Sequence, residues 1–324
     1  MSNLTVRILT AVIAGTAVVA GIWFSPWGLF VFCLALSVLG IMEFYKITGV
    51  RWWPAYVVGL TIVLISWIGI LIYKPFVFQQ DILIHDTSVF FVLHASIGNS
   101  GVFVILPMAL LFGLMMASLF RKTHSEPVKE SALYVFGYVY AALPFMLFFW
   151  IQWGFTPSLP LLNLSQASGY TAVSNELYVD YGATDSWNDN AYRYSALGIL
   201  FLFWTLDSFA YFGGRLFGKH KLFERISPKK TWEGSLIGAA FCIGLGVLLQ
   251  FVWPVDWNWI VVAAIISVTG QLGDLVESMF KRSLALKDSG GLLPGHGGIL
   301  DRFDGFILSM PFIALYHLLT QWFS

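Results

Sequence analysis

The chain has 324 residues, 58% of them hydrophobic and only 11% charged, with 29 phenylalanines and a formal net charge of zero. That charged fraction is less than half of the roughly 25% usual in soluble domains, which argues against an ordinary soluble globular protein and for a membrane protein. The two cysteines, Cys33 and Cys242, lie inside apolar runs without metal-like or redox-like spacing and read as small buried hydrophobes.

In chain order, nine segments are apolar and long enough to cross a hydrocarbon core of about 30 Å. They are predicted near 8–24, 27–45, 55–73, 101–119, 131–150, 195–213, 234–253, 258–276 and 305–323. The first run follows Arg7 and has the look of a signal h-region, but another span follows almost at once, so a retained first helix is expected. The stretch 88–98 reads as a partial or interfacial helix. The expected fold class is therefore an all-α polytopic membrane protein of about nine transmembrane helices. Its organisation reads as an N-terminal membrane region of five helices (1–150), an external loop (151–194) and a C-terminal membrane region of four helices carrying the chemistry (195–324).

Nine spans put the two ends on opposite sides. With a cytoplasmic N-terminus, only Lys74 and Arg193 of the 18 lysines and arginines fall outside, as the positive-inside tendency requires. The expected location is a bacterial-type cytoplasmic (inner) membrane, crossed several times. The outer loops 74–100 and 151–194, the latter with Glu176, Asp180, Asp185 and Asp189, show no catalytic spacing and read as solvated caps.

The stretch LDSFAYFGGRLFGKHKLFERISPKKTWEG, residues 206–234, leaves the sixth span and approaches the seventh. Asp207 lies about six residues before the predicted helix end, roughly 9 Å of rise into it. A carboxylate at that depth is costly unless it faces protein, water or a cation. Trp204, Asp207 and Tyr211 would share a face, and Gly213 and Gly214 would permit a close backbone approach or an unusual turn. Arg215, Lys219, His220, Lys221, Arg225, Lys229 and Lys230 make the following loop basic. Inside-facing charge bias and headgroup attraction account for part of this, but less well for SPKKTWEG. There Lys229 and Lys230 offer charge to phosphate oxygens, and Ser227 and Thr231 offer directional hydrogen bonds. A helix starting here would add free amides suited to phosphate. His220 reads as a solvated or phosphate-adjacent residue rather than a metal ligand.

The eighth span ends in GQLGDLVESMFKR, where Asp274, Glu277, Ser278 and Lys281 fall three, four and seven residues apart and share a helical face. The following LKDSGGLLPGHGGILDRFD predicts a tight glycine turn that allows close approach to a ligand. Asp301 and Asp304 then open the ninth span, three residues apart and on one face, with Arg302 between them. If the last two spans pack together, Asp274, Asp301 and Asp304 converge at the inner membrane boundary. Hard oxygen ligands suit Mg²⁺, which commonly bridges substrate phosphates; no His/Cys set supports structural zinc. The alternative is an ion-paired membrane interface.

These motifs resemble those of the phosphatidate cytidylyltransferase (CDP-diacylglycerol synthase) family. The C-terminal signature of that family is matched by Ser278, Lys281, Arg282, Lys287, Asp288, His296, Gly297, Gly298, Asp301, Arg302 and Asp304. An earlier pattern is matched by Asp207, Tyr211, Gly214, Arg215 and SPKKTWEG. The matched regions cover about 60 residues. The resemblance implies that CTP and phosphatidate give CDP-diacylglycerol and pyrophosphate, with Mg²⁺ held by Asp274, Asp301 and Asp304 and a second cation such as K⁺ nearby. It implies catalytic roles for Asp274, Asp301, Asp304, Asp207 and Lys281. Substrate contacts would come from Arg215, Ser227, Lys229, Lys230, Thr231, Glu233, Arg282, Lys287, Asp288, His296 and Arg302. Expected partners are the two substrates, membrane phospholipids and a second copy in a homodimer, with no nucleic-acid polymer. No serine-histidine-acid set argues for a covalent hydrolase.

Two other classes compete. A cation-coupled transporter would use an intramembrane carboxylate such as Asp207, but the chain shows no convincing internal repeat. A noncatalytic anionic-lipid scaffold would keep the basic patch but has little need of three positioned carboxylates.

Overall fold

The computed structural model describes residues 15–50, 53–81, 112–113, 116, 127–154, 185–253, 257–286, 289–290 and 297–323. Its helices are α1 (Gly15–Phe24), α2 (Pro26–Ile47), α3 (Trp53–Asp81), α4 (Pro127–Gly137), α5 (Leu143–Gly154), α6 (Asp185–Phe217), α7 (Trp232–Val252), α8 (Trp259–Ser283) and α9 (Leu300–Phe323). A π-helical turn, Tyr138–Ala142, joins α4 to α5. Among the described residues seven helical stretches are long and apolar enough to span a membrane, the π-turn lying inside one of them, Lys129–Gln152. They correspond to seven of the nine expected spans. Most of the expected span at 101–119, all but residues 112, 113 and 116, and residues 8–14 of that at 8–24 lie outside the described residues, as does the 88–98 segment.

Local sequence explains where these helices start. Pro26 sits in the first turn of α2, where it forfeits no helical hydrogen bond, and Ser25 caps it by accepting from the Trp27 amide at 3.2 Å. Asn258 caps α8 through Oδ1, 3.2 Å from the amides of Ile260 and Val261. Thr231 caps α7 by accepting from the Gly234 amide.

Two differences from expectation bear on function. α6 starts at Asp185, inside the expected external loop, and runs to Phe217, four residues past the expected end. Asp207 is thus about 15 Å of rise from the helix end rather than 9 Å. The basic loop is a two-stranded antiparallel hairpin, β1 (Lys221–Phe223) with β2 (Ser227–Thr231), an exception to the all-α expectation. The carboxylate of Glu233 ties its entry by accepting from the amides of Lys219 (3.0 Å) and His220 (3.2 Å) and meeting His220 Nδ1 at 2.6 Å.

α6 packs along α7, α7 along α8, and α8 along α9. The N-terminal helices join this group through aromatic faces: Phe44 of α2 stacks on Phe280 of α8, with ring centres 5.6 Å apart, and Phe145 of α5 stacks on Phe306 of α9 at 5.4 Å. Such pairs contribute about 0.5–1.5 kcal/mol beyond their buried area, and here they hold α2, α5 and the π-turn against α8 and α9.

Candidate active site

Two close backbone crossings bring the polar residues together. A Cβ on Gly273 would lie 2.5 Å from the Asp304 carbonyl oxygen and 2.8 Å from Gly305 Cα, and one on Gly305 would lie 2.9 Å from the Gly270 carbonyl oxygen. Only glycine allows α8 and α9 to cross this tightly, and the crossing sets Asp274, the residue after Gly273, beside Asp304, the residue before Gly305. At the second crossing, a Cβ on Gly234 would lie 2.6 Å from the Ala210 carbonyl oxygen and 2.8 Å from Gly214 Cα. Gly214 therefore serves the close approach, bringing the hairpin and the start of α7 against α6.

Asp207, Asp274 and Asp304 lie within electrostatic reach of one another, and Lys230 and Arg302 reach Asp207. Lys230 of β2 forms an ion pair with Asp274 Oδ2, while Asp274 Oδ1 receives a long 3.4 Å hydrogen bond from Ser278. Asp304 accepts the Gly305 amide at 2.7 Å through Oδ1. The side chains of Trp204, Asp207 and Tyr211 are all exposed on one face of α6, as their spacing requires.

Asp301 is held by more protein donors. Its Oδ1 accepts from Lys281 Nζ at 2.7 Å, and its Oδ2 accepts from the amides of Ser289 (2.8 Å) and Gly298 (3.0 Å). Both oxygens are thus engaged by protein donors at the base of the glycine-rich turn. A backbone break at Phe303 (φ −119°, ψ 17°) interrupts α9 between Asp301 and Asp304. Lys281 is held in turn between Asp301 and Glu277 Oε2, the latter at 2.6 Å. The expected shared face of Asp274, Glu277, Ser278 and Lys281 is present, but its lysine braces two carboxylates.

The remaining expected site residues divide by position. Lys229, Arg215, Arg282 and Arg302 are exposed and Ser227 is half-buried, leaving these side chains accessible near the hairpin and helix ends. Thr231 is buried as the α7 cap, and Glu233 braces the hairpin. Lys287, Asp288 and His296 lie outside the described residues.

Two residues escaped the sequence reading. Tyr140, on the π-turn, is buried with no hydrogen-bond partner for its hydroxyl among the described residues, and lies within electrostatic reach of Glu277, Asp304 and Asp301. π-turns inside helices frequently mark functional sites. Glu43 of α2, 5% exposed, accepts from Ser289 Oγ and from the amides of Ile299 (2.8 Å) and Leu300 (3.3 Å). An acidic residue in an otherwise apolar span was the available signal for Glu43; nothing in the sequence marks a π-turn.

Among the described residues, no three His, Cys, Asp or Glu side chains are spaced to enclose a metal by themselves. Mg²⁺ is usually held by one or two carboxylates with water and substrate phosphates completing its shell. Asp274 and Asp304, with the orphaned Tyr140 hydroxyl near Asp304, fit such a partial oxygen set better than a closed protein cage.

The family model described as the cytidylyltransferase family matches residues 5–320. The chain belongs to that family. This family member is also similar to phosphatidate cytidylyltransferases of Staphylococcus aureus (strain COL), 53% identical over 117 residues, and Staphylococcus saprophyticus, 50% over 125 residues. A phosphatidate cytidylyltransferase of Brucella abortus biovar 1 is 36% identical over 190 residues. The aligned stretches cover 35%, 36% and 58% of this chain and 44%, 47% and 66% of those relatives, so the match to the staphylococcal proteins spans about half their length.

Proposed function

We propose that this multi-pass membrane protein transfers CMP from CTP to phosphatidate, forming CDP-diacylglycerol and pyrophosphate for phospholipid synthesis. The observation that carries the reading is the meeting of Asp207, Asp274 and Asp304 beside Lys230 at a tight helix crossing, next to an exposed basic hairpin. Family membership and the resemblance to named phosphatidate cytidylyltransferases support it.

An oxygen of the phosphatidate phosphate attacks the α-phosphorus of CTP in line, the bond to the bridging oxygen breaks, and pyrophosphate departs. Phosphatidate is already anionic, so orientation and charge neutralisation matter more than a strong base. Exposed Lys229 and Arg215 draw anionic substrates to the inner surface, while Lys230 sets Asp274. Asp274 and Asp304 would hold Mg²⁺, which when bound neutralises phosphate charge; K⁺ is a candidate second cation. The Asp301–Lys281–Glu277 bridge holds the start of α9 against α8.

The orientation assigned to the chain is a cytoplasmic N-terminus with the C-terminus opposite across nine spans, in a bacterial inner membrane; a homodimer is the proposed assembly. Because CTP does not cross membranes, one experiment tests chemistry and sidedness together. Inverted vesicles carrying the protein and phosphatidate, given external labelled CTP and Mg²⁺, should yield CDP-lipid and pyrophosphate in equal amounts. Right-side-out vesicles should yield almost none, and chelation should abolish the reaction. No labelled lipid from either preparation would refute the enzyme reading, and product from right-side-out vesicles alone would reverse the orientation.

A further inference from the structure

Glu43 stands about 250 positions from the residues it touches, yet its buried carboxylate is engaged on both oxygens. Oε1 accepts from Ser289 Oγ and the Leu300 amide, and Oε2 from the Ile299 amide. Burying a carboxylate is costly unless it is hydrogen-bonded. The first amides of a helix are free to donate to it and carry the positive end of the helix dipole. Charge-assisted bonds of this kind are shorter and about twice as strong as neutral ones. The grip has a specific target: Ser289 is held twice, its hydroxyl by Glu43 and its amide by Asp301 Oδ2. Gly298 lies between the same two carboxylates. Its amide donates to Asp301, and a Cβ there would collide with Glu43 Oε1 and Ser289 Oγ. Gly297, at φ +82°, holds a backbone conformation that favours glycine, and a Cβ on it would lie 2.8 Å from Asp301 Oδ2.

These bonds form one continuous chain from Glu43 through Ser289 to Asp301, Lys281 and Glu277. Asp304 follows one turn later on α9. We infer that Glu43 is a positioning residue that clamps both ends of the glycine-rich turn and the first turn of α9, so that α2 sets the placement of Asp301 and Asp304. The catalytic consequence rests on the nucleotidyl-transfer reading above; the clamp itself rests on geometry alone.

The test compares purified full-length wild type with Glu43→Gln and Ser289→Ala. Gln keeps the shape but turns an NH₂ toward at least one N–H or O–H donor. Hydrogen exchange in a peptide covering 297–303 should be at least about tenfold faster in Glu43→Gln, with α6 and α7 peptides unchanged. This readout needs no activity, so an inactive wild type refutes the enzyme reading while the clamp is still tested. In the CTP assay, Glu43→Gln should lower kcat at least about thirtyfold with KM for CTP within about threefold, because the interaction acts on the reacting geometry rather than on uniform binding. Ser289→Ala, which loses one of the three bonds, should lower kcat by about three- to tenfold. Unchanged exchange at 297–303 overturns the clamp, and kcat within threefold of wild type overturns the positioning role. If Glu43→Gln does not fold, Ser289→Ala decides by the same two measurements, with wild-type exchange and wild-type kcat overturning the proposal.

Discussion

Replacing Asp304 with asparagine is expected to lower the proposed CMP transfer at least about a hundredfold, roughly 2.7 kcal/mol of barrier, without destabilising the protein. Asp304 shares its surroundings with Asp274, Asp207 and Glu277, and the hydrogen bond described for its carboxylate is to the Gly305 amide, from Oδ1. Asparagine can keep that bond while removing the negative charge. With chelator present, the loss of one like charge relieves repulsion, so the variant should melt no lower than wild type. Asp301→Asn should behave differently. Its carboxylate carries a Lys281 ion pair and accepts two backbone amides, and removing that charge leaves Lys281 with Glu277 alone and those amides facing a weaker, half-donor side chain. Activity and thermal stability should fall together. Melting curves with and without Mg²⁺ beside turnover at saturating CTP check both; near-normal turnover of Asp304→Asn would remove it from the site.

Gly273→Ala is the second large effect. The new methyl would meet backbone, the Asp304 carbonyl oxygen at 2.5 Å and Gly305 Cα at 2.8 Å, so α8 and α9 must part. Overpacking of this kind costs about 1–3 kcal/mol. A displacement near 1 Å at reacting groups can cost about a hundredfold in rate. The variant should lose at least about thirtyfold in kcat and melt lower. Gly244→Ala in α7 is the matched control, because a Cβ there meets nothing within 4 Å; it should keep wild-type turnover. Equal activity of the two variants would show that the helix crossing does not set the site.

Much of this was legible from residue type and spacing. Long apolar runs mark helices because the bilayer demands internally satisfied backbone, and seven expected spans recur as helices. Helical offsets placed Asp274, Glu277, Ser278 and Lys281 on one face, as the Lys281–Glu277 pair and the Ser278–Asp274 contact display. The division of labour between Asp301 and Asp304 was not legible, because spacing says which residues share a face but not which oxygens the turn has already engaged. The hairpin was hidden because ERI, residues 224–226 between its strands, has no Asn-Gly or Asp-Gly signal. The role of Glu43 was not legible because its donors, Ser289, Ile299 and Leu300, come from the far end of the chain, where no local spacing points to it.

Anomalous diffraction from crystals of the protein grown with Mn²⁺ and a non-hydrolysable CTP analogue locates the cation without reliance on turnover. The expected result is a metal peak bordered by the carboxylates of Asp274 and Asp304, with the nucleotide phosphates completing its shell and Lys230 beside it. A nucleotide bound with no metal at that crossing, or with its metal held elsewhere, would contradict the account.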